Sequence, residues 1–189
     1  MGIMQHCGFK RVIIGVICFL LIVCVLLLTA CSSYEGSMGQ IYSEGERIMD
    51  KTVEALVQAI KDQNKTEFVK LFSFSAIEDL NKFLHDADEL FSFIRGSDIS
   101  FGYSTGAASE IEKNGGKVKA LAYNSYWLQT EENKYYLAIS MCTKDTADES
   151  NVGIVSIYVI DAGDWKESYR YLGGGNWVPG IHIDKKSQS

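Results

Sequence analysis

Cys31 is the residue whose position most strongly suggests chemistry. It follows an uncharged run, Val12 to Leu28, which itself follows Lys10 and Arg11, and the small residues Thr29 and Ala30 stand directly before it. Its place at the end of the run is what separates it from Cys18 and Cys24, which lie inside it. The other candidates are less organised. His85-Asp86, with Asp88 and Glu89, could supply a general base, because a buried imidazole or carboxylate can be tuned towards neutral pH. Helical spacing instead sends Leu84, Ala87, Phe91 and Ile94 to a core and spreads the polar four over the other faces. Solvated charges are the favoured reading. Asp145, Asp148 and Glu149 could gather oxygen ligands for calcium, but they lack the alternate-position spacing and the glycine turn of an EF-hand loop. An acidic loop, with Asp145 and Asp148 capping turns, is favoured. Cys142 is a lone thiol and reads as a small buried hydrophobe. His182 beside Asp184 has no third partner in the sequence. Gly173-Gly174-Gly175 is followed by no lysine at phosphate-loop spacing. His-Glu-x-x-His and paired-cysteine patterns are missing. No catalytic residue, metal or cofactor is therefore assigned.

The elements that must position these residues follow from periodicity. Ile41, Ile48, Met49, Val53, Leu56, Val57 and Ile60 recur at three- and four-residue spacing and predict an amphipathic helix over 41–63. Asn64 with Glu67 predicts a capped second helix carrying Phe68, Leu71 and Phe72, and Ser75 with Glu78 predicts a third. The third keeps its period to Ile94, and Gly96 stops it. The period then becomes two. Strands are expected at 99–103, 109–113, 117–129, 134–142, 152–160 and 164–172, with a closing segment at 176–183. Asn114-Gly115-Gly116 is a strong hairpin signal, since these residues tolerate positive φ. Helices followed by hairpin-connected strands imply an α+β domain with a curved antiparallel sheet.

Alternation divides the strands into two faces. Leu121, Tyr123, Trp127, Tyr135, Leu137, Ile139, Met141, Val155, Ile157 and Val159 are expected to receive the helices. Asn124, Tyr126, Tyr136, Ser140, Cys142, Ser156 and Tyr158 are expected on the opposite face, with alanines between them. That second face suits solvent, a homodimer contact or a ligand. Asn124, Tyr126, Tyr136 and Tyr158 are its candidate binding residues, with the tyrosines as hydrogen-bond donors.

Residues 28–31, Leu-Thr-Ala-Cys, resemble the lipobox of bacterial lipoproteins, and residues 1–30 have the form of an export signal. The resemblance implies a diacylglycerol group on Cys31, cleavage before it and attachment to the extracytoplasmic face of a bacterial membrane. At 17 residues the apolar run is somewhat short for a full span, so an uncleaved signal anchor is the competing reading. Two or three acyl chains hold durably where one does not. Small and polar residues to position 40 read as a tether, so the domain should hang close to the membrane without entering it. The implied organisation is 1–30 signal peptide, 31–40 lipidated cysteine and tether, 41–183 one α+β domain, and 184–189 tail.

Removing residues 1–30 leaves 16 basic against 24 acidic side chains, a formal charge of −8. That balance argues against nucleic-acid partners, which need a basic footprint, and against adhesion of the domain surface to anionic lipid. Cys7, Cys18 and Cys24 leave with the signal, so an intramolecular disulfide is excluded in the mature protein.

The stretches Tyr135-Tyr136-Leu137, Cys142 to Ile154 and Ser156 to Ile160, with Trp177-Val178-Pro179-Gly180-Ile181, resemble a family of bacterial lipoproteins defined as a domain of unknown function. The helix-then-sheet order is similar to the nuclear-transport-factor-2-like, cystatin-related cone. These resemblances imply three helices on a cone-like curved sheet and a lipid anchor, and assign no reaction. The expected function is a membrane-anchored module binding a small ligand or a protein without chemistry. The alternatives are an isomerase- or dehydratase-like enzyme using a cone cavity, with His85 or an acid as base, and a structural homodimer.

Overall fold

The computed structural model describes residues 39–167 and 178–184, apart from the side chains of 105–107. The signal segment, Cys31, most of the tether, residues 168–177 with the triple glycine, and the tail beyond Asp184 lie outside the described residues. Contacts divide the chain into Met1–Tyr42 and Ser43–Ser189. Of the first unit, residues 39–42 are described, and they are helical. The second unit holds the elements discussed below. Among the described residues no helix is long and apolar enough to cross a membrane.

Helix α1 covers residues 43–61 of the second unit and buries Met49, Val53, Leu56, Val57 and Ile60. Burying each such side chain stabilises the fold by roughly 1.5–3 kcal/mol. Gln63, at φ 53°, turns the chain, and the Asn64 side chain accepts from Glu67 N–H at 3.1 Å to start α2, Lys65–Val69. Glu67 does not complete the reciprocal cap, because its carboxylate takes Lys70 at 2.6 Å. A 3-10 turn, Phe74–Ile77, contains Ser75, so the next helix starts later than expected. Asp79 caps α3, Leu80–Phe93, by accepting from Lys82 N–H at 3.0 Å. Phe68, Phe72, Phe83 and Phe91 knit these helices together, with ring centroids 4.8–6.2 Å apart in each contacting pair.

The sheet runs β1 Ser100–Asn114, β2 Lys117–Gln129, β3 Lys134–Asp145, β4 Gly153–Asp161 and β5 Gly180–Asp184, in that spatial order. The two short strands expected at 99–103 and 109–113 are one strand with two register shifts. Gly115 and Gly116, at φ 56° and 82°, close the β1–β2 hairpin. Residues 164–167 are not a strand. Pairing is antiparallel from β1 to β4, but β5 lies parallel to β4.

This overturns the expected cone and cystatin-like likeness. The sheet is mixed and is neither curled nor closed: β1 and β5 are its two edges and do not pair with each other. A parallel neighbour cannot be reached by a hairpin, so the assumption of hairpin connections failed at β5. The α+β class and the packing of helices near one sheet stand.

The faces of β2 are also exchanged relative to expectation. The turn at 130–133 pairs Leu128 with Tyr135 and Tyr126 with Leu137, so even-numbered β2 residues share a face with odd-numbered β3 residues. Ala122, Tyr126 and Leu128 therefore join Leu137, Ile139, Ile157 and Val159 beneath the helices. Trp127 packs on the other face with Tyr136, Ala138, Ile160 and Trp165.

Candidate functional site

The four predicted binding residues do not share a face. Asn124 and Tyr126 lie on the helix side of β2, and Tyr136 and Tyr158 on the far side of β3 and β4. On the far side the Tyr158 hydroxyl donates to Asp184 Oδ2 at 2.9 Å. Tyr136 is fully buried, its ring 5.3 Å from Trp127 and 5.8 Å from Trp165. Lys134 Nζ sits 4.5 Å over the Trp127 ring. Ser140 and Ser156 are cross-strand neighbours there, both buried, with hydroxyls that lack a hydrogen-bond partner.

The helix side offers more usable chemistry. β1 is an edge strand, and its pairing puts Phe101 opposite Leu128 and Tyr103 opposite Tyr126. Phe101 and Tyr103 remain 37% and 64% exposed, while Tyr126 behind them is fully buried. Their rings stand 6.0 and 5.4 Å from that of Tyr126. The Tyr103 hydroxyl donates to Asp50 on α1, and Asn124 Nδ2 donates to the Tyr126 hydroxyl at 3.1 Å. The β1 register shifts fall directly after Tyr103, and such bulges re-aim side chains. The result is an aromatic ledge with a carboxylate at its rim.

Electrostatics set its protonation. The hydrogen bond to Asp50 raises the Tyr103 pKa, followed by desolvation and by the charges of Asp50, Glu46 and Glu54. Burial raises that of Tyr126, and the Asp50 charge adds to it. Both phenols therefore stay neutral donors, and neither can act as a base near pH 7. The ledge therefore presents aromatic faces and two neutral phenols beside the Asp50 carboxylate.

The remaining titratable candidates have structural work. Asp145 is buried and accepts from Ala147 N–H, Asp148 N–H and Asn151 Nδ2, at 2.8, 3.1 and 2.9 Å; the Asn151 bond, then the main-chain bonds, lower its pKa. Asp148 accepts from Ser150. His85 is exposed, with Nδ1 3.8 Å from Asp86, which is paired to Lys82. Asp88 pairs with Lys65 at 2.7 Å. His85, Asp88, Glu89, Ser92 and Phe93 line an open hollow of about 440 Å³ on the surface of α3. Burial pushes the Cys142 thiol pKa up, and its Sγ lies 3.4 Å from the Lys144 carbonyl. His182 Nε2 is 2.8 Å from the Val178 carbonyl. Among the described residues no cluster of His, Cys, Asp and Glu could hold a metal ion.

A family profile described as a domain of unknown function (DUF5104) matches residues 55–162. The chain belongs to that family. The DUF5104 match runs from within α1 to just past β4, inside the 41–183 span expected for the domain. It takes in Phe101, Tyr103, Asn124 and Tyr126, and reaches neither Asp50 nor Cys31. No curated protein matches the chain.

Asp50, Phe101 and Tyr103 were missed by sequence reasoning. Asp50 lies on the polar side of α1, four residues from Glu46 and from Glu54. That spacing was readable as an acidic stripe. Nothing local to it announces that β1 passes alongside.

Proposed function

We propose that this DUF5104 protein is a lipid-anchored, non-enzymatic binding domain on the extracytoplasmic face of a bacterial membrane. Its binding face is the ledge of Phe101, Tyr103 and Tyr126 with Asp50. The observation that carries the binding reading is the pair of exposed rings held against a buried tyrosine, with a carboxylate at hydrogen-bond distance. Aromatic faces recognise apolar and planar groups, and a carboxylate selects a donor or cationic end. The ligand class is therefore a small molecule or protein side chain with both features. Asp145 and Asp148 are occupied by capping, and the two ledge phenols are held neutral, which favours binding over acid–base chemistry. The anchor reading rests on Leu28 to Cys31 at the end of the apolar run.

The test is a thermal-shift screen of the full chain against planar amines, neutral aromatics and carboxylic acids, since ligands of the native state raise its apparent stability. Planar amines should raise Tm, and Tyr103→Ala and Asp50→Asn should each abolish that rise. A ligand whose shift survives both substitutions would remove the ledge from consideration. For the anchor, mass spectrometry of membrane-extracted protein should find an acylated Cys31 as the first residue. An intact 1–30 segment or a bare Cys31 overturns it.

A further inference from the structure

Four apolar side chains stand out of the domain around one turn. Phe74 is 71% exposed, Leu80 51%, Val178 53% and Val152 39%. The 3-10 turn carrying Phe74 packs against β4, β5, α3 and the second 3-10 turn, Glu149–Asn151; Leu80 is the first residue of α3, Val152 follows the second turn and Val178 precedes β5, so the four stand at the end of the sheet where these elements meet. The turn faces Ala76 inward and leaves Phe74 in solvent, the reverse of what burial of the larger side chain would favour. An exposed cluster of this kind marks a contact surface.

The position of the tip identifies its occupant. The chain enters the domain at Ser43, and Gly45 lies against Thr143, where an added Cβ would be 3.4 Å from Oγ1. Thr143 is near the C-terminal end of β3, and Cys142 pairs with Gly153, the first residue of β4. Gly153 in turn touches Ser73 N–H and Phe72, immediately before the tip. The point of chain entrance and the apolar tip are thus at the same end of the sheet. Between Cys31 and Ser43 the backbone can span at most roughly 40 Å, so a lipid on Cys31 puts this end within reach of the bilayer.

We propose that the Phe74, Leu80, Val152 and Val178 tip seats in the headgroup region of the membrane that holds the Cys31 anchor. This rests on the lipid-anchored reading and goes beyond it: the domain is oriented on the membrane, with its tip inserted, instead of swinging freely on a tether. A shallow apolar contact adds to acyl chains as a second attachment signal and fixes which surface faces outward.

The test uses the full lipidated protein in phosphatidylcholine vesicles with brominated acyl chains. Phe74→Trp and Leu80→Trp place an indole in the tip, and Glu132→Trp places one in the β2–β3 turn at the opposite end of the sheet. Emission added over the parent should be blue-shifted and mostly lost to bromolipid for both tip variants, and unchanged for Glu132→Trp. Circular dichroism identical to the parent establishes folding, and mass spectrometry of Cys31 on the same sample establishes the anchor. With Cys31 acylated, a tip indole open to aqueous iodide and untouched by bromolipid overturns the seating while leaving the anchor intact. A tip shielded from both quenchers, with cross-linked dimers, also overturns it and assigns the tip to a second copy. A Cys31 without lipid overturns the anchor and the seating together.

Discussion

A methyl group added at Gly153 would lie 2.7 Å from Ser73 N and 2.9 Å from the Phe72 carbonyl carbon. At Gly96 it would meet the Glu131 carboxylate at 2.7 Å and Thr130 Cβ at 2.8 Å. Both glycines have positive φ, 133° and 97°, so alanine is strained at each. The obstacle at Gly153 is backbone that is itself hydrogen-bonded to β4, whereas the obstacles at Gly96 are side-chain atoms of Thr130 and Glu131. Gly153→Ala should therefore destabilise by about 1–3 kcal/mol or more, and Gly96→Ala by less, as measured by urea unfolding. Glu131 makes a second residue-scale prediction. Its carboxylate accepts from Ser97 N–H, Ser97 Oγ and Asp98 N–H, and the main-chain bonds hold its pKa down at about 2, against an ordinary 4.5. The folded value is the lower one, so its stabilisation is fully present above pH 4.5 and is lost as pH falls from there through 2. Glu131→Gln should flatten the acid limb of the stability profile in that window. Of these details the sequence showed Gly96 as a helix stop; the clamp by Glu131 comes from a turn more than thirty residues away.

At the scale of elements, helices were legible where their signals are local. Asn64 caps α2 as its spacing with Glu67 suggested, because a cap needs partners only two or three residues on. The start of α3 was misplaced. Ser75 and Glu78 carry the right types, but the chain spends 74–77 on a 3-10 turn against β4, and Asp79 takes the cap. Asp79→Ala should cost about 1 kcal/mol, while Ser75→Ala should leave α3 nearly unaffected, as read by thermal unfolding and helical circular dichroism. For the sheet, the hairpin at Asn114-Gly115-Gly116 was legible and the faces of β2 were not. A shift of pairing by one residue exchanges every side chain across the sheet. The turn at 130–133 sets that parity, and its geometry is not written in the alternation of either strand.

At the scale of the whole molecule, the openness of the sheet and the proposed attachment at Cys31 each carry a consequence. With β1 and β5 as the edges of the sheet among the described residues, the rings of Phe101 and Tyr103 are left exposed at one side, where a closed cone would have enclosed a cavity. Attachment makes the last prediction: Cys31→Ser should move the protein from the membrane to the soluble fraction, as shown by fractionation and immunoblotting. Residual membrane association of that variant in proportion to the Phe74 tip would mark the second contact.

The sequence by itself determined the acidic charge, the cysteine count, the Leu28–Cys31 segment and the main helical and strand runs. These depend on composition or on signals within a few residues. Tertiary structure alone decided that β5 runs parallel to β4, that Tyr126 and Tyr136 point to opposite sides, that Asp50 meets Tyr103, and that the elements carrying or flanking Phe74, Leu80, Val152 and Val178 meet at one end of the sheet. The β4–β5 and Asp50–Tyr103 contacts join residues more than twenty positions apart, and the face of Tyr126 follows from the register set by the 130–133 turn; alternation within one strand shows neither.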